Sequence, residues 1–266
     1  MTDPIDPTTE AALAGLREPA PAGLVHSTLV AVGLADDHAV IDSPVGPLHI
    51  AWNARGVSAV EAAPDDAAFE ARFHARTGRR AERAARLPAG LARRIERRLA
   101  GDRRNRVALD LRGSTPFEQA VWMKALEIPR GEVRPYGWIA AEIGRPRAVR
   151  AVGTALGHNP VPLIVPCHRV VRSDGTIGQY SLGGPQNKRT ILAGEGADPE
   201  RLESLARAGV RFVGSDTTHI YCLPTCRDAR RVSERHLVRF PSARAASAAG
   251  YRPCRHCRPI ATSAIA

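Results

Sequence analysis

The chain has 266 residues, of which 44% are apolar and 24% charged, and it carries a formal net charge of +11. This length suits one large domain or two to three smaller ones, and the apolar share excludes wholesale disorder. The basic excess favours a polyanionic partner, most often nucleic acid. Residues 201–266 hold 12 basic and 4 acidic side chains, against 26 and 23 in residues 1–200, which indicates a separate C-terminal module.

The first 25 residues show no basic segment followed by an apolar run, so we expect no secretory signal peptide. No apolar run approaches the roughly 20 residues that a membrane-spanning helix needs. We therefore expect a cytoplasmic protein with no membrane partner. In that compartment the five cysteines are expected to be thiols, thiolates or metal ligands rather than disulfides.

The N-terminal half predicts a helical extension followed by a small mixed α/β domain. Residues 1–24 indicate a short capped helix that ends in a proline-rich stretch. Residues 25–112 form the predicted domain, with strand-like runs at 38–51 and 56–62. A helical, arginine-rich pattern follows over 67–101, and we interpret its charges as a solvated helix face.

Residues 113–197 predict a helical domain. Thr115 is a candidate N-cap, Pro116 occupies the first helical position, and Glu118 completes a capping box. Two further short helices, at about 136–143 and 148–156, are joined by a tight turn with a glycine, which makes them a helix-turn-helix candidate.

The segments after these helices complete the predicted organisation. The chain is expected to be extended through residues 161–171. Residues 198–210 form a capped helix that we interpret as a linker, and residues 211–261 form the C-terminal module. The predicted fold class is thus α+β, with an α/β domain, a helical domain and a four-cysteine zinc domain.

Four of the five cysteines form two close pairs. Cys222 and Cys226 have C-x3-C spacing; 27 residues separate them from Cys254 and Cys257, which have C-x2-C spacing. Each short loop presents two thiolates to one ion, so the pattern predicts a tetrahedral Zn²⁺ site. The alternative is four unrelated buried thiols. A redox role for the second pair is disfavoured because no βαβ pattern surrounds it.

The fifth cysteine, Cys167, stands alone between Pro166 and His168. An isolated cysteine is often a small buried hydrophobe. His168 and Arg169 are positioned to lower the pKa of the thiol and favour the nucleophilic thiolate. The residues by themselves leave inert and reactive interpretations equally open.

Residues 114–196 contain a series of short motifs in this order: Thr115-Pro116-Phe117, Ile128-Pro129-x-Gly131, Arg150-Ala151-Val152-Gly153, Asn159-Pro160, Pro166-Cys167-His168-Arg169-Val170 and Glu195-Gly196. Through these motifs the segment strongly resembles the O6-alkylguanine-DNA alkyltransferase family. Residues 38–112 resemble the variable N-terminal domain of the same family.

The resemblance implies direct-reversal DNA repair. Cys167 is the expected acceptor of the alkyl group from O6 of guanine, with O4-alkylthymine as a further candidate substrate. His168 is the expected general base acting through a water, Glu195 orients its imidazole, and Asn159 fixes the turn before the cysteine. The protein is consumed in one turnover, on double-stranded DNA, and is expected to act as a monomer.

The resemblance also assigns residues that handle DNA. The target base must leave the duplex before it can react. The helix at about 148–156 is expected to enter the minor groove, where Arg150 would occupy the position in the base stack that the target base has left. Tyr136 would hold the rotated phosphate, and Tyr180 and Ser181 would line the base pocket. The structural alternatives are a surface ion pair for Arg150 and a core aromatic role for Tyr136. The segment from Tyr180 to Gly184 carries one residue more than some relatives, which weakens its assignments.

Residues 211–259 resemble the metal-binding domain of Ada-type regulators, through Thr217-Thr218-x-Ile220-Tyr221-Cys222-x-Pro224-x-Cys226 and Ala249-Gly250-Tyr251-Arg252-Pro253-Cys254-x-x-Cys257. The resemblance implies that zinc-bound Cys222 takes a methyl group from a methylphosphotriester. A purely structural zinc site is the alternative, and Leu223 replaces an arginine expected there. No organic cofactor is expected.

A methylation-activated sensor and transcription regulator is the alternative function for the whole chain. In the regulators a helical DNA-reading domain follows the metal domain and the alkyltransferase comes last. Here the order is reversed, and nine residues follow Cys257, so we disfavour this alternative.

Overall fold

The structure is a computed structural model that describes residue 6, residues 8–9, residue 21 and residues 23–259. The helix predicted over residues 1–24 therefore lies largely outside the described residues. The described part mixes helices and strands, which confirms the α+β class. Within it, no helix has both the length and the apolar character needed to cross a bilayer.

A four-stranded sheet with three helices forms the N-terminal part. Its strands, in the order β3-β2-β1-β4, are β1 Ala35–Ile41, β2 Leu48–Asn53, β3 Gly56–Glu61 and β4 Arg80–Arg83. The first three strands are antiparallel, and β4 runs parallel to β1. The helices are α1 Leu24–Ala31, α2 Asp66–Thr77 and α3 Ala89–Leu99.

The arginine-rich region predicted as helical over 67–101 contains two helices separated by β4. The helix α2 ends at Gly78, whose φ of 70° suits the left-handed conformation that stops a helix. The chain then pairs with β1 before α3 begins. The predicted strand run at 38–51 is likewise divided into β1 and β2.

Four helices and two very short strands build the middle of the chain: α4 Pro116–Ala125, β5 Arg134–Pro135, α5 Tyr136–Glu142, α6 Val149–Gly157, β6 Val170–Val171 and α7 Gly184–Gly194. The predicted capping box is present, because the Thr115 hydroxyl accepts from the Glu118 amide and the Glu118 carboxylate accepts from the Thr115 amide. The Trp122 indole nitrogen donates to the Ala155 carbonyl at 2.7 Å, which ties α4 to α6.

The expectation of an extended segment over 161–171 is wrong for most of its length. Only β6 is a strand, and it pairs in parallel with β5. The chain before it turns at Leu163, whose φ is 71°, and forms a single 3₁₀ turn at Cys167–Arg169. Side-chain hydrogen bonds from Asn159 hold this irregular backbone, as described below.

The C-terminal part follows the helix α8 Pro199–Arg207, which Asp198 caps. A second sheet of order β10-β8-β7-β9 comprises β7 Phe212–Ser215, β8 Ile220–Cys222, β9 Leu237–Phe240 and β10 Arg252–Pro253, with the helix α9 Ala243–Ala248. Its own apolar cluster includes Phe212, Tyr221 and the four paired cysteines, whereas Cys167 belongs to the large cluster shared by the N-terminal sheet and α4–α6.

Candidate functional site

Cys167 lies at the start of the 3₁₀ turn before β6 and is 6% exposed. Asn159 donates from Nδ2 to the Cys167 Sγ at 3.1 Å and to the Val165 carbonyl at 3.0 Å. The Asn159 Oδ1 accepts from the Val161 amide. Because one buried side chain bonds to three points of the turn, it stabilises the positive φ of Leu163 and sets the position of the sulfur.

Burial raises the pKa of the Cys167 thiol above its usual range, although the Asn159 amide and the Lys188 ammonium oppose this effect. In the free protein the net shift of this pKa is therefore upward, although the His168 backbone amide acts to lower it. The His168 and Arg169 side chains turn toward Glu195 instead of toward the sulfur. The thiol consequently needs a base at the moment of reaction.

His168 and Glu195 form a buried pair. The Glu195 Oε1 lies 3.1 Å from the His168 Nε2, and Arg169 donates to both oxygens of the same carboxylate at 2.8 and 2.6 Å. Burial acts to raise the pKa of Glu195, but these hydrogen bonds outweigh it and hold the value at about 2.

Burial lowers the pKa of His168, and the bond with Glu195 only partly offsets this. The ring is therefore neutral at pH 7. With its Nε2–H directed at the carboxylate, Nδ1 carries the lone pair, and this atom is buried with no hydrogen-bond partner in the described part of the chain. The arrangement provides a free basic nitrogen on the residue next to Cys167.

A pocket of ≈ 350 Å³ opens onto Cys167, and its walls include Tyr136, Tyr180 and Ser181. The Tyr180 side chain is buried, and its hydroxyl has no partner among the described residues, so it is free to bond a ligand. Its ring meets the His168 ring edge-on at 6.1 Å between centroids. The structure thus gathers three of the predicted DNA-handling residues around the cysteine.

Arg150 is placed differently from the other predicted site residues. It is exposed in the first turn of α6 and does not line the pocket, whereas Gly153 of the same helix does. A side chain at Gly153 would meet the Tyr136 ring at 3.9 Å. The helix therefore borders the pocket with Gly153, Leu156 and Gly157 and presents its arginine to the outside.

Lys188 is a site residue that the sequence reading missed. Its ammonium is 1% exposed and donates to the Val170 carbonyl at 2.6 Å and to the Gln179 carbonyl at 3.4 Å. Burial lowers its pKa to about 8, an effect that the Cys167 thiolate opposes. One signal was present, because Lys188 is one of only two lysines in an arginine-rich chain.

The four paired cysteines come together in the C-terminal part. Their sulfur atoms lie within 4.8 Å of one another, and all four residues are buried. Four converging thiols with this spacing fit tetrahedral Zn²⁺. The Leu223 amide also donates to the Cys257 Sγ at 3.4 Å, as is common around zinc-bound thiolates. We assign this cluster as the zinc site.

The two sides of the zinc site differ. Cys222 and Cys254 line an open pocket of ≈ 600 Å³ whose wall includes three arginines, Arg231, Arg252 and Arg255. Cys226 and Cys257 are fully buried and do not line it.

A second group of possible metal ligands, His38, His49 and Asp66, lies in the N-terminal part. One ring nitrogen of each histidine pairs with a carboxylate, whereas both Nδ1 atoms are buried with no partner among the described residues. The His38 Nε2 lies 2.9 Å from a Glu70 oxygen, and the His49 Nε2 lies 3.1 Å from an Asp66 oxygen. Arg83 also donates to Asp66 at 2.7 Å. These contacts join the sheet to α2, and we interpret the group as structural.

Two family models match the chain. Residues 116–197 match "6-O-methylguanine DNA methyltransferase, DNA binding domain", and residues 204–259 match "Metal binding domain of Ada". The second match covers the four-cysteine site and agrees with its assignment to zinc.

Curated relatives carry one common name. A methylated-DNA–protein-cysteine methyltransferase of Mycobacterium tuberculosis is 56% identical over 86 residues, 32% of this chain and 51% of the relative. The chain thus spans about half the length of the first relatives it matches. A protein of the same name from Methanosarcina barkeri is 36% identical over 147 residues, 54% of this chain and 87% of that relative.

Among solved structures, M. tuberculosis OGT in complex with DNA is 36% identical, with a TM-score of 0.49, over 63% of this chain and 99% of that one. The family is established by the alignment with the M. barkeri protein, which extends over most of that relative. The chain belongs to the methylated-DNA–protein-cysteine methyltransferase family.

Proposed function

We propose that this chain repairs O6-alkylguanine in double-stranded DNA by a single transfer of the alkyl group to Cys167. The observation that carries the proposal is the buried Cys167 at the wall of a pocket of ≈ 350 Å³. The next residue in the chain, His168, pairs with Glu195 through Nε2 and keeps Nδ1 free. A desolvated thiol, a neutral base and an orienting carboxylate are the parts that nucleophilic catalysis needs.

The transfer follows from these groups. The His168 Nδ1 takes the thiol proton through a water, and Glu195 stabilises the resulting imidazolium. The Cys167 sulfur attacks the alkyl carbon, a C–S bond forms and the C–O6 bond breaks with its electron pair on guanine. The proton on His168 returns to the guanine, so charge and atoms balance. The thioether at Cys167 is stable, and the chain is consumed.

The pocket requires that the target base leaves the stack, because the O6 atom of a paired guanine is inside the duplex. In this proposal α5 and α6 act as a helix-turn-helix unit, with α6 in the minor groove and Arg150 in the vacated position. Tyr136 holds the displaced backbone at the pocket mouth. The Tyr180 hydroxyl and Ser181 contact the extruded base.

A duplex with radiolabelled O6-methylguanine tests this function. We expect one label per chain, on Cys167, and no label after Cys167→Ser. Cys222→Ser is the matched control and should retain full labelling. Label on the Cys167→Ser chain would refute the assignment. A duplex with O4-methylthymine, run in parallel, tests whether that base is also a substrate.

We propose methylphosphotriester repair at Cys222 as a second activity. It is supported by the open pocket that Cys222 and Cys254 share with three arginines, a surface suited to a DNA phosphate. Zinc, when bound, keeps the thiolates deprotonated at neutral pH. Four thiolates on Zn²⁺ carry a formal charge of −2, and methylation of one leaves −1, which reduces repulsion of DNA.

The test of this second activity uses duplex DNA with labelled methylphosphotriesters and the Cys167→Ser chain. We expect label on Cys222 alone. Absence of label, with zinc bound, would leave the site with a structural role and remove the second activity.

The division of the chain into domains completes the proposal. We infer an alkyltransferase N-terminal domain at residues 25–112, a catalytic DNA-binding domain at 113–197, a linker helix at 198–210 and a zinc domain at 211–261. The helix α8, capped by Asp198, and the separate apolar cluster after it support this division. A monomer that acts on cytoplasmic DNA fits the single-turnover chemistry.

A further inference from the structure

Glu132 connects the alkyltransferase part to the zinc site. It lies just before β5, is 1% exposed, and accepts from Arg134 at 2.6 Å through Oε2. Its other oxygen, Oε1, accepts from the Arg227 amide at 3.2 Å and lies 3.1 Å from the His256 Nε2. Arg227 directly follows one zinc ligand, and His256 directly precedes another, so a single carboxylate contacts both cysteine loops.

The carboxylate is close to the ligands themselves. An oxygen of Glu132, a ring nitrogen of His256 and the Cys226 Sγ lie within 4.8 Å of one another. Groups that hydrogen-bond around the ligands of a metal hold those ligands in place without binding the metal, and their loss typically weakens metal binding by about 10–100-fold.

Two neighbouring contacts involve the same loops. The Thr225 Oγ1 accepts from the Val133 amide at 2.9 Å, and the Cys257 carbonyl accepts from the Trp138 indole at 3.0 Å. Both donors flank β5, the strand that pairs with β6 directly after the Cys167 turn. The closed side of the zinc site is therefore formed by residues of the alkyltransferase part, while Cys222 and Cys254 face the open pocket.

We propose that Glu132 is a positioning residue of the zinc site. It holds the loops of Cys226 and Cys257, so that zinc affinity depends on a residue outside the zinc domain. By thermodynamic reciprocity, zinc binding stabilises the segment around β5 next to the Cys167 turn. The inference is independent of whether Cys222 accepts methyl groups.

The first test measures metal affinity in the full chain. Glu132→Gln keeps the length of the side chain and an acceptor for the Arg227 amide, but removes the charge. We expect zinc affinity, measured by chelator competition, to fall by about 10–100-fold. A Co²⁺ titration, followed by the thiolate-to-cobalt absorption, should show the same fall and so locate it at the four-cysteine site.

Glu203→Gln is the matched control, because Glu203 is partly exposed and pairs with Arg189 of α7, which lies outside both cysteine loops. It should leave metal affinity unchanged. Equal affinities in wild type and Glu132→Gln would overturn the proposal, because a simple interface ion pair would not alter metal binding.

The second test measures the reciprocal effect and does not require that Glu132→Gln folds. Hydrogen exchange of the Val133 amide should be at least several-fold faster in the chelated wild-type chain than in the zinc-loaded chain. Thr225→Val, which removes the acceptor of that amide, should also lower zinc affinity. An exchange rate that is indifferent to zinc, or a Thr225→Val chain with wild-type affinity, would contradict the coupling.

Discussion

At the residue scale, the chemistry depends on how burial changes ordinary side chains. The same burial that raises the pKa of the Cys167 thiol lowers the pKa of His168. The thiol therefore stays protonated in the free protein, and the imidazole stays neutral and able to accept a proton. The motif around Cys167 made these two residues predictable. Lys188 was not predictable in the same way, because its position depends on the carbonyls of Val170 and Gln179, which only the fold brings near it.

The buried carboxylate predicts a specific acid response. The folded state holds the pKa of Glu195 at about 2, below the ordinary value of 4.5 for a glutamate, so its contribution to stability is present above about pH 4.5 and is lost as the pH falls toward 2. His168, whose pKa is also lowered, adds a loss of stability below about pH 6.5.

Glu195→Gln should therefore flatten the pH dependence of the free energy of unfolding between pH 5 and 3, by roughly 2 kcal/mol. It should also lower stability at pH 7, because Arg169 keeps a buried charge without its partner. Urea unfolding at several pH values measures both effects. Glu96→Gln, on an exposed position of α3, is the control. An unchanged slope would show that Glu195 is not stabilised in its charged form.

Lys188 predicts an effect on the thiol. Lys188→Met removes the buried ammonium, which otherwise favours the Cys167 thiolate. We expect the pH at which Cys167 reacts with a small thiol reagent to rise, and transfer from O6-methylguanine to slow. Lys124→Met, which changes the other lysine on the surface of α4, should leave both unchanged. Equal profiles for the two variants would exclude an electrostatic role for Lys188.

At the element scale, the structure follows the sequence where local signals are strong. The helix α4 has its cap, proline and capping box in the predicted places, and the helices α5, α6 and α8 begin within a residue or two of expectation. Prediction failed over 161–171 because an apolar run favours a strand. The actual turn depends on side-chain bonds from Asn159, which periodicity does not detect. The strand β4 was missed because four residues between two helices carry little pattern.

The cap of α4 gives a stability prediction. Thr115→Ala removes the acceptor for the Glu118 amide and half of the capping box, and should cost about 1 kcal/mol in free energy of unfolding. Thr190→Ala makes the same chemical change in the interior of α7, where the hydroxyl only bonds back to the Gln186 carbonyl, and should be near neutral. Urea denaturation compares the two. Equal losses would remove the cap as the cause.

At the scale of the whole molecule, the basic charge is concentrated in the C-terminal part. The alkyltransferase part is nearly neutral, with 26 basic and 23 acidic residues in positions 1–200. Its binding to DNA should therefore depend on individual residues at defined positions, such as Arg150, and not on overall charge. The C-terminal part has 12 basic and 4 acidic residues, and three of its arginines line the pocket of Cys222 and Cys254. The composition therefore indicated a nucleic-acid partner. The structure adds that part of the basic excess, three arginines, lies at the pocket beside the zinc site.

This division predicts a crossed pattern of defects. Arg150→Ala should slow transfer to Cys167 by about 10-fold or more, because extruding a base costs a few kcal/mol that the inserted arginine offsets. It should leave transfer to Cys222 unchanged. The double variant Arg252→Gln, Arg255→Gln should slow transfer to Cys222 and leave transfer to Cys167 unchanged. Peptide mapping after exposure to DNA with both lesions measures each cysteine separately. Parallel loss at both cysteines in either variant would show that one shared surface serves both.

The most direct test of the account is mass spectrometry of the chain after exposure to an excess of duplex DNA containing O6-methylguanine. The account predicts a plateau of one methyl group per chain, located on the peptide that contains Cys167, with unmodified guanine left in the DNA. A methyl group on any other residue, or repair that continues beyond one guanine per chain, would contradict it.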